Sequence, residues 1–252
     1  MSGDTPPAGD ERSQRLVEQY TEIALLAGGL AHEIKNPLST IRLNLSLLAE
    51  DFGDAKTIHE QRALQKIRTV ERECDRLNSI LEDFLRFARV KELRRTDCDL
   101  NAVVQEMIDF ITPQAAEHGI ELVPYFRADL PPVSLDSELF KQALLNLLLN
   151  AQNAMPAGGQ IVLQTHPVQG GATLDVIDNG VGMDAETQSR IFRPFFSTRK
   201  DGSGLGLPTA RKIIEAHNGT ITVESAAGKG TRFTLKLPTH AEPTSSHGPP
   251  EQ

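Results

Sequence analysis

The chain has 252 residues, of which 39% are hydrophobic, and carries a formal net charge of −8, as expected of a folded globular protein with one large or two modest domains. The acidic balance disfavours sequence-independent nucleic-acid binding, and the longest nearly uncharged apolar stretch, Ile23 to Ala31, is about half of the roughly 20 residues that span a bilayer. With only two cysteines, which exclude a disulfide framework, we expect a cytoplasmic protein that binds neither nucleic acid nor membrane.

The first predicted elements are two long helices between polar ends. Residues 1–15 and 239–252 are rich in Pro, Gly, Ser and charge, which predicts disordered tails. Between residues 16 and 92, apolar residues recur at alternating spacings of three and four, the pattern of a helix-packing seam. The seam positions are Ile23, Ala27, Leu30, Ile34, Pro37, Ile41, Asn44 and Leu48, then Ala63, Ile67, Val70, Cys74, Leu77, Leu81, Phe84 and Ala88. We expect an antiparallel hairpin that dimerises into a four-helix bundle.

The pattern changes near residues 91–100, and a second domain is predicted over residues 97–238. Helices are expected at 100–118, at 137–154 after an Asp136 cap, and at 207–217, with strands at 120–126, 160–166, 172–177, 220–225 and 231–237. Strands mixed with helices, ending in a hairpin-like connection, indicate an α/β sandwich with a mixed, largely antiparallel sheet. The fold class expected for the chain is therefore α+β, a long helical hairpin followed by this sandwich.

The first helix carries the sequence AHEIKNPL at residues 31–38. His32 lies outside the seam, and an exposed imidazole beside the Glu33 carboxylate can act as a nucleophile, although a solvated surface pair explains the same residues. A zinc site of the H-E-x-x-H type is excluded because Asn36 replaces the second histidine. Pro37 removes a backbone hydrogen bond and predicts a kink one turn past His32.

An amide stripe follows in the second domain. Asn146, Asn150 and Asn153 are spaced i, i+4 and i+7, so they share one face of a predicted helix. Asn is a poor residue in a helix interior, and an amide oxygen is a suitable ligand for Mg²⁺. A polar face exposed to water is the alternative.

Two glycine-containing loops complete the set of patterns. Asp178 ends a predicted strand before Gly180 and Gly182, so its carboxylate can accept a hydrogen bond from an exocyclic amine while the backbone approaches a flat ring. A hairpin turn explains this pattern equally well. The loop KDGSGLGL at residues 200–207 precedes a helix whose first N–H groups can bind an anion, with a flexible surface loop as the alternative. Its glycine spacing matches neither a Walker loop nor a Rossmann fingerprint.

The order of these patterns resembles the sensor histidine kinases of two-component signalling. In that family a dimerising phosphoacceptor domain precedes an ATP-binding domain of the kind shared with gyrase, Hsp90 and MutL. HEIKNPL resembles the phosphoacceptor box, NLLLNAQNA the asparagine box, DNGVGM the adenine box, IFRPFFSTRKDGSGLGL the lid and glycine box, and GKGTRFTLKLP the closing strand. The resemblance covers about residues 20–238.

The resemblance implies a role for each matching residue. His32 would be the phosphoacceptor, Glu33 its activating base, and Asn36 the residue that positions water for removing phosphate from the partner. Asn150 would ligate Mg²⁺ and Asp178 would accept the hydrogen bond of the adenine amine. The nucleotide-binding residues would be Asn146, Asn150, Asn153, Asp178, Gly180, Gly182, Arg199, Lys200, Gly202, Ser203, Gly204, Leu205, Gly206, Leu207 and Thr231.

Two features depart from the family pattern. The usual lid lysine is Arg199 here and is followed by Lys200, so which cation reaches the γ-phosphate stays open; the lid would also contain Phe195 and Phe196. Only about 15 residues precede the first helix, so we expect no sensor or membrane domain ahead of it.

The expected function is that of a homodimeric kinase. ATP with Mg²⁺ would phosphorylate His32, and the phosphoryl group would pass to an aspartate in the receiver domain of a response regulator, which the protein would also dephosphorylate. An ATPase of the same superfamily that drives a conformational cycle is an alternative, against which the hairpin with His32 argues. A degenerate dimeric scaffold is another, against which the complete set of nucleotide boxes argues.

Overall fold

The computed structural model describes residues 34–52, 57–88, 93–199 and 202–239. The chain divides into two compact units, which are Met1–Lys91 with Thr198–Leu205, and Glu92–Ser197 with Gly206–Gln252. The predicted tails apart from Thr239, the predicted phosphoacceptor His32 with Glu33, and Lys200 lie outside the described residues.

The first unit contains an antiparallel helical hairpin. Helix α1 covers residues 34–51 and helix α2 covers Ile58–Ala88. Three polar pairs join them, Lys35 with Glu82 at 2.9 Å, Arg42 with Asp75 at 3.6 Å and Ser46 with Glu71 at 2.9 Å. From pair to pair, the residue numbers increase on α1 and decrease on α2, so the two helices are antiparallel, as predicted from the sequence.

The predicted seam packs inside this hairpin only in part. Leu38 on α1 and Cys74 on α2 are buried, with Leu45 half-buried on the same side of α1. Seven described seam residues are exposed. The five large apolar ones form what we call the exposed stripe: Ile34, Ile41, Leu48, Val70 and Leu77. Leu38 and Leu45 lie beside the predicted seam positions of α1, not on them, because heptad spacing locates an apolar stripe without saying which neighbour covers it.

The second unit contains a mixed five-stranded sheet and four helices. The elements are β1 Thr96–Cys98, α3 Leu100–Glu117, β2 Ile120–Tyr125, β3 Val133–Leu135, α4 Ser137–Asn153, β4 Gly159–Val168, β5 Gly171–Asp178, α5 Ala185–Arg190, α6 Gly206–Ala216, β6 Thr220–Ser225 and β7 Thr231–Pro238. The strand order is β2-β4-β5-β7-β6, and only β2 and β4 are parallel. The expected fold class, with its mixed and largely antiparallel sheet, is confirmed.

The core lies between the sheet and helices α3, α4 and α6. Alternate residues of the central strands are buried, as expected when one face of a sheet is covered. Strands β1 and β3 form a separate antiparallel pair. Their three residues each are too few to show a strand period, so the sequence did not predict them.

The helix starts follow from capping aspartates. Asp99, Asp136 and Asp184 accept backbone N–H groups at the starts of α3, α4 and α5, which satisfies donors that lack a partner within the helix. The predicted Asp136 cap is confirmed. Within the described residues, no helix is both long and apolar enough to cross a bilayer.

Candidate functional site

Helix α4 presents two of the three predicted amides as candidate ligands. Its buried residues, from Phe140 to Ala151, pack into the core and turn the polar side away from it. Asn146 and Asn150 are half-buried and make no side-chain hydrogen bond with the described residues, whereas Asn153 is exposed and donates to the Leu149 carbonyl at 2.6 Å. The Asn153 amide is thus used within its own helix.

The start of α6 lies beside this amide face. A Cβ atom added to Gly206 would lie 3.7 Å from Asn146 Oδ1, and α4 and α6 pack along each other. The first N–H groups of α6 have no acceptor within the helix and lie at its positive dipole end. The arrangement suits an anionic group between Asn146 and Gly206.

Asp178 is a buried carboxylate at the end of β5. It is only 3% exposed, and in the sheet it pairs with Ile161 and Thr231. Oδ1 accepts the Gly180 N–H at 2.9 Å. Burial raises the pKa of Asp178 above its usual 3.8, and the backbone hydrogen bonds from Gly180 and Thr231 oppose that rise. A carboxylate has about four acceptor positions, so capacity remains for a donor from a ligand.

The loop after Asp178 requires glycine at two positions. A Cβ on Gly180 would lie 2.6 Å from the Ala154 carbonyl oxygen, and one on Gly182, whose φ is +64°, would overlap the Ala226 carbonyl oxygen. The Val181 N–H also donates to Ala154 O at 3.0 Å. The loop is therefore packed between the end of α4 and the β6–β7 turn.

A hydrogen-bond network that the sequence analysis missed supports this loop. Ser225 Oγ donates to Gly230 O at 2.7 Å, accepts the Met183 N–H at 2.9 Å and lies 3.0 Å from Thr231 Oγ1. Gln188 Nε2 donates to Met183 O at 3.1 Å and to Ser225 O at 2.8 Å. No local pattern marks Ser225 or Gln188, because the bonds that join the loop to β6 span 42 and 37 positions of sequence.

The aromatic residues before the glycine-rich loop are in different environments. Phe196 packs beneath Arg190, whose Cζ lies 4.4 Å from the ring centroid, while Phe195 is 62% exposed and has a φ of +63°. A bulky residue rarely adopts that conformation, so the backbone is strained at Phe195.

Five further predicted site residues belong to the first compact unit. Arg199, Gly202, Ser203, Gly204 and Leu205 belong to the segment Thr198–Leu205, which groups with the helical unit. Their nucleotide-binding role rests on the sequence.

Asn36 is exposed on α1, and its carbonyl accepts the Thr40 hydroxyl at 3.2 Å. Its predicted role also rests on the sequence.

A divalent cation fits the donor chemistry of α4. Within the described residues, no group of three or more His, Cys, Asp and Glu side chains could hold a metal ion. Asn150 offers an amide oxygen, the hard ligand type that Mg²⁺ accepts alongside water and substrate phosphates.

Two family profiles match the chain. The family described as "His Kinase A (phospho-acceptor) domain" matches residues 22–93, and the family described as "Histidine kinase-, DNA gyrase B-, and HSP90-like ATPase" matches residues 135–241. The two matches occur in the order predicted from the sequence.

Curated relatives are sensor kinases. The chain is 38% identical to the sensor histidine kinase ZraS of Klebsiella oxytoca over 92% of its own length and 49% of that protein. It is 34% identical to the signal transduction histidine-protein kinase AtoS of Escherichia coli, over 90% of its own length and 37% of that protein. The chain therefore spans between a third and a half of the length of these relatives.

Solved structures with the same architecture are histidine kinases. The catalytic domain of ThkA is 30% identical with a TM-score of 0.53, covering 58% of this chain and 96% of that domain. ThkA in complex with the response regulator protein TrrA has a TM-score of 0.65 at 25% identity, covering 94% of this chain and 68% of that one. Full-length ShkA in complex with AMPPNP has a TM-score of 0.66 at 28% identity, covering 86% of this chain and 47% of that one.

Proposed function

The chain belongs to the histidine kinases of two-component signalling, and on that premise we propose that it is an ATP-dependent protein-histidine kinase whose phosphoacceptor is His32. The observation that carries the proposal is the set of groups gathered in the second unit. The buried Asp178 carboxylate, the α4 amides and the start of α6 are linked by direct packing. Asp178 would bind the adenine base of ATP, the α4 amides would hold the metal ion, and the start of α6 would bind the phosphates.

We assign the domains accordingly. Residues 16–92 form the dimerisation and phosphoacceptor domain, and residues 97–238 form the ATP-binding domain. The family matches over 22–93 and 135–241 support this division. Because ATP is the phosphoryl donor, we place the reaction in the cytoplasm.

The nucleotide would bind along the surface from Asp178 to α6. Asp178 accepts a hydrogen bond from the adenine amine, and the backbone between Gly180 and Gly182 contacts the ring. The N-terminal N–H groups of α6 and the preceding glycines bind the phosphates. Mg²⁺ would be held by Asn150 and would offset the phosphate charge.

The reaction transfers a phosphoryl group from an oxygen of ATP to a ring nitrogen of His32. A ring nitrogen of His32 attacks the γ-phosphorus, the bond to the β–γ bridging oxygen breaks, and ADP leaves. Glu33 takes the proton from the other ring nitrogen, so that the imidazole stays neutral as the N–P bond forms. Orientation and charge stabilisation supply most of the catalysis in such transfers.

A response regulator would receive the phosphoryl group. A receiver-domain aspartate attacks the phosphorus bound to His32, which forms an acyl phosphate and restores the free histidine. Support comes from the structural neighbour ThkA in complex with a response regulator protein.

The test of the proposed activity is incubation of the chain with γ-labelled ATP and Mg²⁺. We expect the protein to become labelled. The label should survive treatment with base and be lost rapidly in acid, because an N–P bond is acid-labile. An unlabelled protein, or an acid-stable label, would contradict the proposal.

We also propose that the protein is a homodimer joined through the exposed stripe. The stripe contains residues of both helices on one side of the hairpin, and its apolar side chains lose contact with water only if a second surface covers them. A second copy in a four-helix bundle supplies such a surface.

Introducing charge into the stripe is expected to separate the subunits. Leu77 is 50% exposed and Leu81 is half-buried one turn later, so Leu77→Glu with Leu81→Glu would bury unpaired carboxylates in the dimer. Light scattering at micromolar concentration should give a dimer mass for the wild type and a monomer mass for the variant.

A control variant uses the other side of α1. Leu43 is 61% exposed and lies two residues from Ile41, about 200° around the helix. Leu43→Glu should therefore leave the dimer intact. A wild-type monomer, or loss of the dimer with Leu43→Glu alone, would contradict the proposed interface.

Asn36→Ala is expected to separate two activities. Asn36 lies four residues after His32, a spacing from which the sequence predicts that both side chains share one helix face. Hydrolysis of the regulator's acyl phosphate needs a water held in line, which an amide can do, whereas attack by His32 on ATP does not. The variant should retain substantial autophosphorylation and lose most phosphatase activity, measured as the decay of phosphorylated regulator with ADP present.

Asn44→Ala makes the same chemical change two turns further on. The Asn44 amide donates to the Thr40 carbonyl at 2.8 Å on an exposed surface, so this variant should leave the decay rate at the wild-type value. Equal decay rates for Asn36→Ala and wild type would remove Asn36 from this role.

A further inference from the structure

His217 is a fully buried histidine that the proposed chemistry does not use. It follows α6 directly and has 0% exposure. Its Nδ1 lies 2.7 Å from the Ile213 carbonyl oxygen, and its Nε2 accepts the Asp136 N–H at 2.9 Å. A carbonyl only accepts and a backbone N–H only donates, so Nδ1 carries the proton and Nε2 carries none. The two contacts therefore select one neutral tautomer.

Three segments of the second unit meet at this histidine. Asp136 is the cap of α4, and its Oδ2 accepts the Arg94 N–H at 3.0 Å. The Arg95 guanidinium donates to the Ala216 carbonyl at the end of α6. We call these five residues, Arg94, Arg95, Asp136, Ala216 and His217, the His217 junction. It joins the segment just before β1 to the N-cap of α4 and the C-terminal end of α6.

The junction lies at the far end of the helix pair that carries the candidate phosphate site. At the near end, Gly206 approaches Asn146, and at the far end, His217 bonds to Asp136. Ten residues separate Asp136 from Asn146, which is about 15 Å of helix. Helices are stiff over that length and the interior between them is close-packed, so a shift at His217 changes the distance between Asn146 and Gly206.

We propose that His217 is a positioning residue, which in its neutral form sets the register between α4 and α6 and so aligns the phosphates of ATP for transfer. This role rests on the proposed kinase function. His217 acts through the two helices and contacts neither ATP nor the phosphoacceptor.

The electrostatics of the junction favour the neutral form. Burial lowers the pKa of His217 below its usual 6.5, the charge of Arg95 lowers it further, and Asp136 and the hydrogen bond to Ile213 oppose the shift. Protonation would place an N–H at Nε2 opposite the Asp136 N–H, so two donors would face each other. Neutral His217 therefore contributes fully to the free energy of unfolding above pH 6.5, the usual pKa of histidine in an unfolded chain. This contribution is lost as the pH falls from about 6.5 to the lowered pKa of His217 in the folded protein.

Two substitutions separate the contacts of His217. In His217→Gln the side-chain oxygen reaches the position of Nε2 and can accept the Asp136 N–H. In His217→Asn the amide nitrogen takes the position of Nδ1, so the contact with Ile213 stays and the contact with Asp136 is lost. The exposed His118 provides a matched control, because its Nδ1 also contacts the carbonyl four residues earlier, Gln114 O at 2.9 Å.

The measurement is the rate of autophosphorylation against ATP concentration in full-length chains, below their melting temperatures. We expect His217→Asn to lower the maximal rate about tenfold or more, as a small misalignment does, with ATP affinity changed less than about threefold because Asp178 is untouched. His217→Gln and His118→Asn should stay within about threefold of wild type. A role confined to stability would lower the melting temperature without this split between rate and affinity.

Two results would overturn the proposal. One is a wild-type maximal rate in folded His217→Asn, and the other is a His217→Gln variant as slow as His217→Asn. A wild type that takes up no phosphate would instead contradict the kinase function. In that case, the nitrogen chemical shifts of the His217 ring still test the junction, since they should report the Nδ1–H tautomer at pH 7.5 and a titration midpoint below 6.5.

Discussion

His32→Gln is expected to abolish phosphate uptake from ATP. Glutamine has no nitrogen with a free lone pair for attack on phosphorus, because its amide nitrogen donates its electrons to the carbonyl group. The proposed nucleotide site belongs to the proposed ATP-binding domain and not to the hairpin, so ATP binding should persist. His32 lies two positions from the seam residues Leu30 and Ile34, which points it away from the predicted packing face, so the dimer should persist as well.

The assay counts acid-labile phosphate after incubation with γ-labelled ATP and Mg²⁺. His59→Gln is the matched control, because His59 is an exposed histidine on the other helix of the hairpin, and it should be labelled as the wild type is. Label that remains in His32→Gln, whether acid-labile or acid-stable, would assign the phosphoacceptor to another residue.

Asp178→Asn is expected to weaken ATP binding about 5- to 150-fold, which corresponds to about 1–3 kcal/mol. Asp178 is buried and already accepts backbone N–H groups from Gly180 and Thr231. An asparagine replaces one acceptor oxygen with an NH₂ group, which must face either a backbone N–H or the adenine amine. Either way, two donors oppose each other at a buried position.

Calorimetric titration with a non-hydrolysable ATP analogue measures the effect. Asp175→Asn provides the same change three residues earlier on β5, where the carboxylate accepts the Thr234 hydroxyl at 2.6 Å, and it should bind nearly as the wild type does. Unchanged affinity in Asp178→Asn would move the adenine site elsewhere.

The pH dependence of binding follows from the same carboxylate. Burial raises the pKa of Asp178 above 3.8, so the group takes up a proton at a higher pH than an exposed aspartate does. Binding that requires the ionised acceptor is therefore complete above this raised pKa and is lost as pH falls through it. Asp178→Asn should remove this part of the pH profile.

Much of the fold was predictable because its signals are local. The capping aspartate Asp136 and the apolar spacing of α4 lie within a few residues of the structure they specify. The need for glycine at 180 and 182 was predicted only in kind, since the close neighbours are the Ala154 and Ala226 carbonyls, while the predicted approach to a flat ring stays a prediction. The order of the motifs is also a property of the sequence, and it indicates the family. The roles of the individual site residues stay predictions.

The sequence by itself determined which residues are apolar, which can bind phosphate and in what order they occur, since these are properties of single residues and short spacings. Only the tertiary structure decided that Ile41 and Leu77 remain exposed in the hairpin and that Ser225 supports the loop after Asp178. It alone brought His217 to Asp136. The Ser225 and His217 contacts join residues that are far apart in sequence, 42 and 81 positions respectively, and no local period encodes them. They follow from the packing of complete helices and strands against each other, because a polar group that becomes buried there needs a hydrogen-bond partner.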